Sequence, residues 1–230
     1  MQVKPPTGKV LPQPPIYPFT TQTKQPMEKH EQITIAEYQL TAEDYRIGTW
    51  NHDVSQNREG LINAMPKTKG RILDLGCGPG RDLVAFQNLG YSVTGLDATP
   101  AFVEMAKQNA SCSVLHQTFL SLDLPNDSFE GIFANASLIH VPSAAMLGVL
   151  KHLHQALSDR GILLMSMVRG DREGLSERPT GYRYVTGWEY ETLAPKLEEA
   201  KFNVLNHYYR PEGMPIEECS WLVMVAQKLD

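Results

Sequence analysis

Short apolar runs alternate with longer amphipathic stretches along most of this chain, and the alternation predicts strands followed by helices. The apolar runs predict strands at "RILDL", "YSVTGLD", "CSVLH", "FEGIFAN" and "ILLMSMV". Apolar positions at helical spacing predict helices at "RDLVAFQNL", "TPAFVEMAKQNA" and "SAAMLGVLKHLHQAL". Strands and helices in this order are typical of an α/β protein whose doubly wound, mostly parallel sheet carries helices on both faces.

The alternation of predicted strands and helices is interrupted at both ends of the chain. After a helix around "WEYETLAPKLEEA", two strand-like runs follow, "FNVLNHYY" and "SWLVMVAQK", joined by a turn with Gly213 and Pro215. We expect them to form an antiparallel pair at the sheet edge. Before the first strand, "ITIAEYQLTAEDYRIGTW" predicts one or two helices. "HDVSQNREGLINAM" predicts another, capped by Asp53 or Ser55.

The first 30 residues differ in composition from the rest. They hold seven of the sixteen prolines, which predicts an extended or disordered arm over residues 1–30. The alternative is an arm that packs Ile16, Tyr17 and Phe19 onto the body or onto a partner chain. The remaining residues, 31–230, are interpreted as one domain, with N-terminal helices over 31–66 and an α/β core over 67–230.

Composition and charge narrow the class of protein. The 230 residues carry a formal net charge of −5 without a long block of like charge, which argues against a nucleic-acid-binding surface. No apolar run reaches the roughly 20 residues that span a bilayer. Three widely spaced cysteines indicate neither a disulfide framework nor a metal cluster. The sequence predicts a cytoplasmic protein without metal, nucleic acid or membrane partner, and it leaves a homodimer open.

The stretch "RILDLGCGPGRD" carries the first functional signal. Gly76, Gly78 and Gly80 follow the first predicted strand directly, where a doubly wound sheet binds its ligands. Glycines leave room for a ligand to approach the backbone and permit positive φ. The helix that follows presents free N–H groups and the positive end of its dipole. These residues predict a small-ligand site.

Spacing narrows the ligand to a nucleoside. The dinucleotide fingerprint is G-x-G-x-x-G, whereas this turn reads G-x-G-x-G and is one residue tighter. Asp97 ends the second predicted strand, 19 residues after Gly78, where a carboxylate can accept hydrogen bonds from both ribose hydroxyls. A tight turn combined with this acid indicates a nucleoside without a pyrophosphate.

With these residues in place, the chain resembles the class I S-adenosylmethionine-dependent methyltransferases, from about Tyr38 to the C-terminus. "ILDLGCGPGRD" resembles the first motif of that family, and "LHQALSDRGILLMSM" resembles its helix–turn–strand segment, with Ser-Asp-Arg-Gly in place of the usual Pro-Gly-Gly turn. The resemblance implies a seven-stranded, Rossmann-like methyltransferase fold with lid helices. It also implies S-adenosyl-L-methionine as cofactor, S-adenosyl-L-homocysteine as product, and a small-molecule acceptor.

The resemblance also implies roles for individual residues around the cofactor. Asp97 would bind the ribose, and Asp74 would hold the turn and the amino group, or merely cap local N–H groups. Thr118 stands where many members carry an acid for the adenine; either its hydroxyl suffices or Gln117 assists. The full set of expected cofactor residues is Asp74, Gly76, Cys77, Gly78, Gly80, Arg81, Asp97, Ala98, Thr118, Phe119, Asn135, Ala136, Tyr45 and Arg46.

The acceptor side is less regular in sequence. His140 and His52 are the candidate catalytic bases, although a histidine between Ile139 and Val141 is also typical of a packed structural residue. The polar and aromatic residues of the N-terminal helices and of the late loops "RPTGYRYV" and "YYRPEG" predict an acceptor pocket for a small polar, carboxylate-bearing molecule. The expected acceptor residues are Trp50, Arg183, Tyr184 and Arg210.

The sequence therefore predicts a methyltransferase that acts on a small polar molecule by in-line displacement. Two alternatives stay open at this point. One is a cofactor-binding or regulatory module without transfer activity. The other is an NAD-dependent dehydrogenase, which the tight turn and the missing second catalytic domain disfavour.

Overall fold

The centre of the molecule is a twisted sheet of seven strands. The computed structural model describes residues 27–66 and 69–230. Nine strands are described there: β1 (Arg71–Leu75), β2 (Ser92–Asp97), β3 (Ser113–His116), β4 (Phe129–Asn135), β5 (Leu157–Val168), β6 (Glu173–Arg178), β7 (Gly181–Thr186), β8 (Phe202–Arg210) and β9 (Trp221–Lys228). The sheet order is β3-β2-β1-β4-β5-β9-β8, and β9 runs antiparallel to both of its neighbours. The predicted α/β class and the antiparallel C-terminal pair are confirmed.

Helices cover both faces of this sheet. Their bounds are α1 (Lys29–Thr49), α2 (Ser55–Ala64), α3 (Arg81–Asn88), α4 (Pro100–Asn109), α5 (Ser143–Ala156) and α6 (Tyr190–Glu199). β1 shows why its apolar run is continuous: Leu73 and Leu75 join the core beneath α5 and α6, whereas Ile72 joins the core on the opposite face. Both faces of the strand are therefore buried, as in parallel sheets generally.

The chain reverses its strand order between β1 and β4. From β1 the connections run outward to β2 and β3, and then return to β4 on the other side of β1. Loops at the carboxyl ends of β1 and β4 diverge at this switch point and leave a crevice there. The glycine turn follows β1 directly and so lies at this crevice.

A hairpin replaces one of the predicted loops. The stretch "RPTGYRYV" was expected as a loop, and that expectation is wrong: its second half is β7, which pairs with β6 to form a separate two-stranded sheet. The hairpin rests on α1, which is one helix of 21 residues. The Tyr184 N–H donates to Thr34 Oγ1 at 2.9 Å. Glu37 accepts a hydrogen bond from Thr180 Oγ1 at 2.7 Å and pairs with Arg183.

The structure describes only the last residues of the predicted N-terminal arm. Residues 1–26 of the predicted arm lie outside the described residues, and α1 begins at Lys29 with a reciprocal capping box between Glu28 and Glu31. Within residues 27–66 and 69–230, no helix combines the length and the apolar character that crossing a bilayer requires.

Candidate active site

The glycine turn after β1 is held in a left-handed conformation. Gly76, Gly78 and Gly80 have φ of +79°, +52° and +92°. A Cβ on Gly76 would lie 2.4 Å from the Ser137 Cβ, whereas a Cβ on Gly78 would meet nothing nearer than the Tyr45 ring at 3.8 Å. The first glycine therefore packs tightly against Ser137, and the second leaves room for a Cβ beneath the Tyr45 ring.

Asp97 fastens this turn to the end of β2. Its carboxylate is buried; Oδ2 accepts the Gly78 N–H at 2.9 Å, and Oδ1 accepts the Thr99 N–H at 2.8 Å. Burial raises the pKa of Asp97, and the backbone N–H groups of Thr99 and Gly78 offset part of that rise. The acid that the spacing singled out thus lies against the turn.

A narrow cavity of about 90 Å³ opens beside Asp97. Ala98, Phe102, Thr118 and Phe119 line it, which is a largely apolar wall with one hydroxyl. Thr118 Oγ1 lies 3.1 Å from Ser121 Oγ. The Gln117 side chain is engaged elsewhere, because both of its polar atoms bond to the backbone of Asp123. Of the two residues considered for the adenine, only Thr118 lines this cavity.

A larger cavity of about 810 Å³ lies over the turn and the ends of β1, β4 and β5. Two buried polar atoms there have no hydrogen-bond partner, Asp74 Oδ2 and Arg81 Nε. Burial raises the pKa of Asp74 well above its usual range, and the nearby Asp82 carboxylate adds to this rise. One orphaned acceptor and one orphaned donor fit a ligand that carries both an ammonium and a carboxylate, as the methionine end of S-adenosylmethionine does.

α1 covers the cavity with two tyrosines. Tyr38 and Tyr45 lie two helical turns apart on one face, with their ring centroids 5.4 Å apart in an edge-on arrangement. The Arg183 guanidinium lies 3.8 Å from the centroid of the Tyr38 ring, a cation–π contact. These rings separate the crevice from solvent on the side of the N-terminal helices.

His140 is held between α1 and the hairpin. Its Nδ1 lies 2.6 Å from the Tyr184 carbonyl oxygen, which can only accept, so Nδ1 carries the proton. Nε2 therefore accepts from the Tyr38 hydroxyl at 3.0 Å. Burial lowers the pKa of His140 to about 4, and the positive charges of Arg183 and Arg178 act in the same direction. The imidazole is neutral at pH 7 and has both nitrogens engaged.

Most of the predicted site residues converge on these two cavities, and Gly80 caps α3 beside them. The predicted residues that line them are Tyr45, His52, Asp74, Gly76, Cys77, Gly78, Arg81, Asp97, Ala98, Thr118, Phe119, Asn135, Ala136, His140, Arg183 and Arg210.

Three predicted residues lie elsewhere. Arg46 follows Tyr45 by one position, which is a 100° rotation on a helix, and it pairs with Glu43 on the exposed face. The Tyr184 hydroxyl donates to Glu173 Oε1 at 2.6 Å, away from the crevice. Trp50 follows α1 and lines neither cavity. The structure does not bring these three residues to the two cavities.

The sequence interpretation missed Asn57, which connects several parts of the site. This buried amide donates from Nδ2 to Asn135 Oδ1 at 2.7 Å. Its Oδ1 accepts from the Tyr208 hydroxyl at 2.9 Å and from Arg210 at 3.1 Å. Asn57 lies within a polar stretch of α2, and nothing in that stretch distinguishes it from its polar neighbours. Tyr38 was also missed, although its i, i+7 spacing to Tyr45 signals a shared face.

Known proteins resemble this chain at two levels. A family model described as a methyltransferase domain matches residues 72–161. Trans-aconitate 2-methyltransferase of Escherichia coli O17:K52:H18 is 33% identical over 98 residues, 42% of this chain and 38% of that protein. Ubiquinone biosynthesis O-methyltransferase of Xanthomonas campestris pv. campestris (strain B100) is 26% identical over 159 residues, 66% of this chain and 60% of that protein. The chain thus spans less than two thirds of the length of either relative.

Solved structures share the fold over most of the chain. The 1,6-didemethyltoxoflavin-N1-methyltransferase of Burkholderia thailandensis, solved with S-adenosylhomocysteine and 1,6-didemethyltoxoflavin, superposes with a TM-score of 0.69 at 23% identity, covering 90% of this chain and 94% of that one. The [4+2]-cyclase SpnF superposes with a TM-score of 0.64 at 17% identity, covering 84% and 94%. Proteins of this fold therefore include one named for a different reaction.

The strand order, the left-handed glycine turn and the acid that ends β2 define a Rossmann-like fold of the methyltransferase type. The domain model matched over residues 72–161 and the named relatives agree with the predicted resemblance to the class I S-adenosylmethionine-dependent methyltransferases. The predicted fold is confirmed, and these matches support the predicted family and cofactor.

Proposed function

We propose that this protein transfers a methyl group from S-adenosylmethionine to a small polar acceptor. The observation that carries the proposal is the pair of orphaned buried atoms, Asp74 Oδ2 and Arg81 Nε, beside a glycine turn fastened by Asp97. The names of the relatives and structural neighbours, trans-aconitate and didemethyltoxoflavin methyltransferases, favour a small-molecule acceptor.

Each part of the cofactor has candidate partners. We assign the ribose hydroxyls to Asp97 and the adenine to the narrow cavity lined by Ala98, Thr118 and Phe119. The methionine end belongs over the turn, with its ammonium at Asp74 and its carboxylate at Arg81. Tyr45, Gly76, Cys77, Gly78, Asn135 and Ala136 complete the wall of that part of the site.

The bound cofactor supplies a methyl group that its sulfonium already activates. The protein then has to align the acceptor and exclude water, and such positioning lowers a barrier by up to roughly 7–11 kcal/mol. Tyr38 and Tyr45 close the crevice on one side, and the hairpin closes it on another. The network of Asn57, Asn135 and Ser166 fixes the loop after β4: Ser166 Oγ donates to Asn135 Oδ1 at 3.0 Å and accepts the Ala136 N–H at 2.8 Å.

The two predicted bases have different surroundings. His140 holds the Tyr38 hydroxyl with one nitrogen and the Tyr184 carbonyl with the other, which favours a positioning role. His52 lines the larger cavity, and we assign it as the group that accepts a proton from an amine or hydroxyl acceptor.

The test is a methyl-transfer screen with labelled S-adenosylmethionine over small amines, thiols, alcohols and carboxylic acids, read by mass spectrometry. We expect one acceptor class to gain the label as S-adenosylhomocysteine forms, and Asp97→Ala to lose this activity. Asp159→Ala, an exposed acid where β5 begins, is the matched control. Tight cofactor binding with no labelled product in any class would favour a binding module, or another reaction on the same fold.

A further inference from the structure

Arginine side chains are frequent in the lining of the larger cavity. We call the part lined by Arg172, Arg178 and Arg210 the acceptor chamber. Building on the proposed function, we propose that this chamber selects a small anionic acceptor, one that carries a carboxylate or phosphate group.

Arg210 is the fixed member of this group. It ends β8 and is half-buried; Nη1 donates to Asn57 Oδ1 at 3.1 Å, and Nη2 donates to the Asp53 carbonyl oxygen at 3.0 Å. Both hydrogen-bond partners are neutral oxygens, so these hydrogen bonds hold the guanidinium in place without forming an ion pair; the exposed Asp53 carboxylate interacts with it only through space. An oriented guanidinium fits the fork geometry of a carboxylate or phosphate.

Arg178 and Arg172 enter the chamber from the hairpin. Strand pairing joins Gly174 to Val185, Ser176 to Arg183 and Arg178 to Gly181, so these residues share one face of the two-stranded sheet. Arg183 and Val185 line the cavity, which identifies that face as the inner one. Gly174 and Ser176 are small and leave the space between the arginines open.

Two further arginines that line the cavity are already in ion pairs, and the proposed function assigns the unpaired Asp74 to the ammonium group of the cofactor. Arg81 pairs with Asp82, which also receives Arg58, and Arg183 pairs with Glu37. Within residues 27–66 and 69–230, the side chains of Arg172 and Arg178 have neither an ion pair nor a hydrogen bond.

The carboxylate of Asp53 is exposed and accepts the Ser55 N–H at 2.9 Å. Asp53 offsets part of the charge of Arg210, so three arginines face one carboxylate and the chamber keeps a positive excess.

Bound S-adenosylmethionine would increase this excess. Its sulfonium would add a positive charge to the same cavity, and like charges in a partly buried space repel one another. An anionic acceptor would offset both the three arginines and the sulfonium, whereas a cationic acceptor would add to the repulsion. The cavity also holds the methionine end of the cofactor within its roughly 810 Å³, so the acceptor is small.

The experiment compares matched probes on protein saturated with S-adenosylhomocysteine. Isothermal titration measures binding of succinate, tricarballylate, benzoate and phenyl phosphate against their neutral counterparts, succinamide, tricarballylamide, benzamide and phenol. We expect at least one anion to bind about tenfold or more tightly than its counterpart, since charge-assisted pairs contribute this much. The carboxylate and phosphate arms decide which anion is preferred.

Three single variants then test the residues. Arg210→Gln is expected to weaken anion binding about tenfold or more, and Arg172→Gln or Arg178→Gln by less, because those side chains are not held in place. The matched control is Arg160→Gln. Arg160 lies in β5 between Leu157 and Ile162, where the pairing with β4 shifts register, and it lines neither cavity. Retained binding of S-adenosylhomocysteine shows that a variant is folded.

Failure of this inference and failure of the proposed function give different results. If S-adenosylhomocysteine binds and every anion binds no more tightly than its neutral counterpart, the chamber does not select anions, while methyl transfer stays open to the acceptor screen. Anion binding that Arg210→Gln leaves unchanged also overturns the inference. If S-adenosylhomocysteine does not bind, the proposed function fails, and the same titration on the free protein decides whether the chamber binds anions at all.

Discussion

Asp74 is a residue whose surroundings disfavour its charged form in the free protein. Its carboxyl group is buried at the end of β1, one oxygen lacks a partner, and burial raises its pKa well above the usual range. Such a group costs stability in the free protein when it ionises. A bound ammonium would stabilise the ionised form, so the cost in the free protein is converted into affinity for the cofactor.

This account predicts opposite effects of Asp74→Asn on stability and on binding. Because the folded pKa lies above the unfolded value of about 3.8, the wild type loses stability as the pH rises from about 4 through the folded pKa. The variant lacks this loss. We expect its unfolding temperature without cofactor to exceed that of the wild type by at least about 2 °C at pH 8, and the difference to shrink towards pH 4.

Affinity for S-adenosylmethionine should fall about tenfold or more in the same variant, because a charge-assisted hydrogen bond is lost. Thermal unfolding across this pH range and titration with the cofactor measure the two effects. A variant that is less stable than the wild type at pH 8 would show that Asp74 is a structural acid whose interactions are already satisfied.

Among individual residues, the sequence predicted those that a particular backbone conformation or strand end requires. The three glycines and Asp97 are fixed by a turn and by a strand end, so their spacing alone locates them. Asn57 could not be found in this way, since its importance comes from Asn135 and Arg210, which lie far away in the sequence. Arg46 was predicted beside Tyr45, but consecutive residues on a helix point about 100° apart, and Arg46 pairs with Glu43 instead.

Among the elements, the turn between β1 and α3 shows how similar conformations serve different purposes. Gly76 and Gly78 both have positive φ, but only Gly76 is in tight contact with the protein. Its neighbour is Ser137, on the loop that follows β4. The turn is therefore packed at its first glycine and open to a ligand at its second.

The two glycines should separate stability from binding. Gly78→Ala is expected to lower the free energy of unfolding by about 1–2 kcal/mol, the cost of a left-handed alanine, and to weaken cofactor binding at least about tenfold because its Cβ projects into the crevice. Gly76→Ala adds the overlap with Ser137 and should cost at least about 3 kcal/mol. Urea unfolding and cofactor titration of both variants give the comparison. Equal loss of stability would contradict the assignment of Gly78 to the ligand.

The hairpin shows the limit of prediction for elements. The core strands were predicted because they are continuous apolar runs buried on both faces. "EGLSER", which forms β6, has one apolar residue, and Leu175 is exposed. Contacts with Thr34 and Glu37 of α1 hold this hairpin in place. A local pattern of apolar and polar residues does not reveal such contacts.

The molecule as a whole forms its two cavities from distant parts of the chain. The sheet supplies the glycine turn and Asp97, α1 supplies two tyrosines, the hairpin supplies arginines, and β8 supplies Arg210. Under the proposed function, this arrangement would bring the cofactor and its acceptor side by side. Transfer between two bound molecules, protected from water, is the activity that this architecture favours.

The direct test of this account is the affinity for S-adenosylmethionine, measured by isothermal titration in the wild type, Asp97→Ala and the Asp159→Ala control. We predict one site per chain in the wild type and the control, and a loss of affinity of about a hundredfold or more in Asp97→Ala, where both the ribose contact and the brace on Gly78 are removed. A folded wild type that does not bind S-adenosylmethionine, or an Asp97→Ala variant that binds it as tightly as the wild type, would contradict the account.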